Sequence, residues 1–69
     1  MTYEQVAVRR YGNQYIDGKI STERYVDIIF GLLEYSSVVE KRAEEISLYI
    51  ANSEDSPEDY VNTLMELFV

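Results

Sequence analysis

Apolar positions recur at helical spacing along this whole chain, and short polar clusters divide them into segments. Tyr3, Val6, Ala7, Tyr11 and Tyr15 fall near three and four residues apart, which predicts a helix over about 3–16 with one buried stripe. Thr2, with Gln5 three residues on, has the form of a capping box that would open it. Asp17-Gly18-Lys19 would close it, with Gly18 free to take the left-handed conformation that ends many helices. Gly12-Asn13, two poor helix formers in one run, predict a shortening or a kink.

Ser21 is placed to cap a second helix, with Ile20 stapled against Tyr25 and Glu23 in the first turn, where the helix dipole favours an acid. The apolar positions continue as Tyr25, Ile28, Ile29, Leu32, Ser36, Val39, Ala43, Ile46 and Ile50. From Leu32 onward the steps alternate between four and three, the pattern of a coiled-coil-like seam about three heptads long. A single helix over 22–52 would be about 46 Å long. A compact chain of this size has a radius of gyration of about 11 Å. Either the chain breaks near Tyr35-Ser36-Ser37, where Ser37 and Glu40 form a possible capping box, or a partner subunit covers the protruding half. The break is the favoured reading, with helices over about 22–35 and 37–52.

Asn52-Ser53-Glu54-Asp55 reads as a polar loop. Ser56-Pro57-Glu58-Asp59 is the clearest start signal in the chain: a Ser cap, Pro in the first helical position, then two acids. The last helix, about 57–68, carries Tyr60, Val61, Leu64, Leu67 and Phe68 on one side, and Phe68 and Val69 are expected to dock. The expectation is an all-α fold of three to four short helices in one small bundle over 1–69, completed by dimerisation. Its core or dimer seam would be Leu32, Val39, Ala43, Ile46, Ile50, Leu64 and Phe68.

Size supports the dimer. A chain of 69 residues buries only about 60% of its unfolded surface, so its core is marginal. The sequence has no Cys and no His, which removes disulfides and the commonest metal ligands as substitutes. No apolar run approaches the roughly 20 residues a bilayer requires. Residues 1–4 lack the basic and apolar regions of a secretory signal. The expected location is the cytoplasm.

Charge narrows the function. The net charge is −7, unevenly spread. Residues 1–24 hold Glu4, Asp17 and Glu23 against Arg9, Arg10, Lys19 and Arg24. All ten remaining acids follow residue 25, against Lys41 and Arg42 alone. Such a field repels nucleic acid and anionic membranes and attracts basic proteins. Arg9-Arg10 are too few for a nucleic-acid stripe and are expected to pair with acids of a neighbouring helix or subunit.

Catalytic arrangements find little support. Without His or Cys most nucleophiles and general bases are missing, and Glu40 with Glu44, one turn apart, reads as a solvated helix face. The stretch 13–24 is similar to a calcium-binding EF-hand loop at Asp17, Gly18, Ile20 and Ser21. Tyr15 stands where a carboxylate is needed, however, and Arg24 replaces the bidentate Glu. No cofactor, metal or small-molecule substrate is expected.

Acids exceed structural need in the base-free region. Glu58 and Asp59 serve the helix dipole, but capping does not call for Glu54, Asp55 and Glu66. The candidate partner-binding face is Glu40, Glu44, Glu54, Asp55, Glu58, Asp59 and Glu66. Seven tyrosines are a second excess, since Tyr is enriched at interfaces, and Tyr35 and Tyr49 lie off the main seam. In size, charge and helicity the whole chain resembles the small acidic proteins with which phages occupy host factors, some of them DNA mimics. That resemblance is compositional and brings no site residues with it. It implies a non-enzymatic inhibitor in a bacterial host's cytoplasm that binds a basic nucleic-acid-binding protein. In such a mimic, acids one helical turn apart, about 6 Å between Cβ atoms, stand in for phosphates. The alternative is a helical assembly or dimerisation module whose acidity serves solubility. The first predicts binding that weakens with salt, the second a salt-insensitive partner.

Overall fold

Local capping chemistry sets most of the helix ends. A computed structural model describes residues 2–35 and 40–68, apart from the side chains of residues 40 and 41. They form four helices, α1 (Tyr3–Ile16), α2 (Thr22–Tyr35), α3 (Glu40–Asn52) and α4 (Pro57–Leu67). At the start of α1 the Gln5 amide donates to Thr2 Oγ1 and the Thr2 amide donates to Gln5 Oε1, both at 3.1 Å. This is the reciprocal box expected from the sequence. At its end the Gly18 amide donates to the Tyr15 carbonyl and the Lys19 amide to the Gln14 carbonyl. Gly18 has φ 76°, the left-handed value this double bond pattern requires. Ser21 Oγ accepts from the Arg24 amide at 3.1 Å. Ser56 Oγ accepts from the Asp59 amide at 3.4 Å, with Pro57 in the first turn of α4.

The middle of the chain is two helices. The molecule measures 30 × 24 × 18 Å with a radius of gyration of 10.9 Å, which leaves no room for a helix about 46 Å long. The apolar repeat from Leu32 to Ile50 is therefore not one coiled-coil seam but two helix faces that meet a shared core. The second proposed capping box, at Ser37 and Glu40, lies outside the described side chains.

Helices α1 and α4 make the closest pair and run antiparallel. Gln5 Nε2 donates to the Met65 carbonyl at 3.0 Å, and Arg9 Nη2 donates to Asn62 Oδ1 at 3.0 Å. Farther along, Gly12 faces Val61, and a Cβ at Gly12 would sit 2.6 Å from Val61 Cγ1. Helix α1 runs through Gly12 to Ile16 and is not shortened there. Gly12 is buried and lets the two helices approach, so tertiary packing outweighs the roughly 1 kcal/mol helical cost of glycine.

All four helices feed the core: Val8 from α1, Tyr25 and Ile29 from α2, Ile46 from α3, Tyr60, Val61 and Leu64 from α4, and Phe68 at its cap. Phe68 docks into that core, 2% exposed. Among the seam positions, Ile46, Leu64 and Phe68 are buried, and Leu32 and Ile50 pack against the cluster. Ala43 is half-buried and outside it, while Val39 lies outside the described residues. Of the seam residues described, all but Ala43 belong to the chain's own core or pack against it.

The expected α1 stripe is displaced around the helix. Ala7 and Val8 are buried with Gly12, whereas Tyr3, Val6 and Tyr11 are exposed. The true core edge runs Val8–Gly12–Tyr15, and Tyr3, Ala7 and Tyr11 form the neighbouring strip.

Candidate functional site

The seven tyrosines divide into two groups, and the division locates the first candidate site. Tyr15, Tyr25, Tyr49 and Tyr60 form one aromatic cluster at the helix junction. Tyr15 stacks on Tyr25 with centroids 5.1 Å apart and planes 12° from parallel. Tyr60 meets Tyr15 edge-on at 6.0 Å and packs against Tyr25 at 6.1 Å and Tyr49 at 5.5 Å. Offset and edge contacts of this kind suit the ring quadrupole. The Tyr25 hydroxyl donates to the Val8 carbonyl at 3.0 Å, which satisfies a buried polar tip. Burial, reinforced by the neighbouring Tyr60, holds the Tyr25 phenol well above its ordinary value. Burial followed by Tyr15 and Tyr49 pushes Tyr60 up to about 12. These phenols are structural.

Tyr3, Tyr11 and Tyr35 stand apart from that cluster. With Glu4, Ala7, Ile28, Gly31 and Leu32 they line an open groove of about 420 Å³ between α1 and α2. Tyr3 is 78% exposed and Tyr35 is 88% exposed. A turn of only five residues, 17–21, makes α1 and α2 an antiparallel hairpin, so the groove runs along both helices from Tyr11 and Ile28 to Tyr3 and Tyr35. Tyr35 thus lies on this groove, whereas Tyr49 packs against Tyr60 in the aromatic cluster. The groove was missed because Tyr3, Ala7 and Tyr11 read as a core stripe. Gly31, a helical glycine among apolar neighbours, was the available signal.

The second candidate site is the acidic half. Glu44, Glu54, Asp55, Glu58, Asp59 and Glu66 are all exposed; Glu40 belongs to α3, its side chain outside the described set. Glu54, Asp55, Glu58 and Asp59 gather at the α3–α4 turn. On α4, Asp59 and Glu66 are seven residues apart and so share a side of the helix, opposite Val61, Leu64 and Phe68. Among the described residues Arg42 Nη1 bonds Glu45 Oε2 at 3.1 Å, the i, i+3 pair expected from the sequence. Asp55 is not surplus: its Oδ2 accepts the Tyr49 hydroxyl at 2.6 Å and ties the turn to α3. Arg9 meets the neutral Asn62 rather than an acid, and among the described residues neither Arg9 nor Arg10 forms an ion pair.

Among the described residues no group of three or more acids converges as a metal site would require, and no helix is long and apolar enough to cross a membrane. No known protein family, curated protein or solved structure matches this chain. What can be said of its function comes from its own two surfaces, one acidic and one apolar.

Proposed function

We propose that this chain is a non-catalytic binding module whose acidic α3–α4 half occupies the basic surface of a nucleic-acid-binding protein, as a DNA-mimic inhibitor does. One observation carries the reading. The exposed acids from Glu44 to Glu66 share their half with two bases, Lys41 and Arg42, of which Arg42 is paired with Glu45, and Arg9 of α1 reaches α4 only at the neutral Asn62. Charge of one sign gathered on one half of a molecule steers a surface of opposite sign toward it. One feature adds support: no base follows Arg42. As in the phage proteins that this chain resembles in composition, the target would be a host factor in the bacterial cytoplasm.

The test is a pull-down from bacterial lysate at low and high salt, followed by competition with duplex DNA. Recovery of a basic DNA-binding protein at low salt, displaced by DNA and by salt, supports the reading. A partner retained equally at both salt concentrations overturns it. The assembly module is the second reading, favoured by the exposed groove between α1 and α2.

A further inference from the structure

Among the described residues nothing packs against Gly31. It sits in the interior of α2, where glycine lowers helix stability relative to alanine. A Cβ built there meets nothing within 4 Å among the described residues, whereas one at Gly12 would strike Val61. Gly12 permits a close approach by α4. At Gly31 no described residue occupies the equivalent space, and it lies in the groove bounded by Tyr3, Tyr11, Ile28, Leu32 and Tyr35.

We propose that a second copy of this chain fills that space, in a two-fold dimer where α2 of one copy crosses α2 of the other at Gly31. In a two-fold interface the residue on the axis meets its own mate, so a missing side chain there shortens the helix separation from both sides. Ile28 and Leu32 flank the crossing. The exposed rings of Tyr3 and Tyr35 close over the groove of the other copy, burying the large apolar side chains that are most open to solvent here.

Charge selects a second copy over a basic partner for this face. Residues 1–35, which carry α1 and α2, hold five acids against four bases, whereas residues 36–69 hold eight acids against two, so a basic protein is drawn to the α3–α4 half. Pairing through α1 and α2 brings together the least charged halves and keeps the acidic halves apart. The area suffices. A standard interface takes about 800 Å² per partner, about one sixth of the 4669 Å² surface, and this face spans two of the four helices. The dimer shares Leu32 with the one the seam suggested, but Ile46, Leu64 and Phe68 of that seam are buried in the core. It does not depend on the acidic-partner reading, and its test uses the purified chain alone.

Sedimentation of the full chain from micromolar to millimolar concentration tests the proposal, with Gly31→Leu, Tyr35→Ala and Leu48→Ala beside the natural sequence. Leu48 is exposed on α3, away from the groove. The expected result is a reversible dimer whose dissociation constant rises at least about tenfold in Gly31→Leu and in Tyr35→Ala. Leu48→Ala should leave it unchanged. Circular dichroism of dilute protein should show full helicity in Gly31→Leu, because the site is open in the monomer. A natural chain that stays monomeric throughout, or a dimer indifferent to both groove variants, overturns the proposal.

Discussion

A methyl group at Gly12 would lie 2.6 Å from Val61 Cγ1, and one at Gly31 would meet nothing described within 4 Å. The same substitution should therefore have opposite effects at the two sites. Gly12→Ala should lower stability by about 1–3 kcal/mol through overpacking between α1 and α4. Gly31→Ala should raise that of the dilute chain by about 0.5–1 kcal/mol through helix propensity. Urea unfolding of both variants decides it; equal shifts of one sign would contradict the packing described for Gly12. The buried phenols make a second prediction at this scale. Tyr25 and Tyr60 keep their protons in the folded chain to higher pH than the ordinary value of 10. Between about 10 and the folded values the unfolded state binds fewer protons, so stability is full below pH 10 and falls as pH rises. Urea midpoints measured from pH 9 upward should decline, and Tyr60→Phe should make the decline shallower.

At the scale of elements, the helices are unequally anchored. Helix α4 buries Tyr60, Val61 and Leu64 and continues into Phe68, while Ile46 is the one fully buried described side chain of α3. Local opening should follow that difference, because it depends on the apolar contact an element loses. Native-state hydrogen exchange is expected to show α3 amides exchanging faster than those of α1 and α4. Equal protection in all four helices would show a bundle more cooperative than its packing implies. The turn before α4 is held by the Ser56 cap and by the Tyr49–Asp55 hydrogen bond. Ser56→Ala should lower stability by about 1 kcal/mol, as at other caps, which thermal unfolding can read.

For the molecule as a whole, the two surfaces divide the work. An apolar groove lies between α1 and α2, and the uncompensated acids lie on α3, α4 and their turn. Electrostatic attraction between exposed charges is screened over about 8 Å at physiological ionic strength. Partner affinity at the acidic half should thus fall steeply with added salt, and a Glu44→Gln, Glu54→Gln, Glu66→Gln variant should bind more weakly with a flatter salt dependence. Self-association through the groove buries apolar surface and should hold steady or strengthen over the same salt range. Titration calorimetry for the partner and sedimentation for the dimer, each at two ionic strengths, separate the two surfaces.

The sequence by itself determined the helical class, the starts of three helices and the end of α1. Thr2 with Gln5, Gly18 with Tyr15 and Gln14, Ser21, and Ser56-Pro57 act through hydrogen bonds or dihedral limits within a few residues, so no distant contact is needed to read them. Exposure of Glu44, Glu54 and Glu66 was equally legible, because burying an unpaired carboxylate is prohibitive. The tertiary structure decided the rest. Which side of α1 faces inward depends on α4 coming close enough to require Gly12, a contact between residues 49 positions apart. That choice turned Tyr3 and Tyr11 outward into the groove and left Tyr15 with Tyr25, Tyr49 and Tyr60. Periodicity records that a stripe is apolar, but it does not record which neighbour covers it. The same limit counted Asp55 as surplus when Tyr49 holds it.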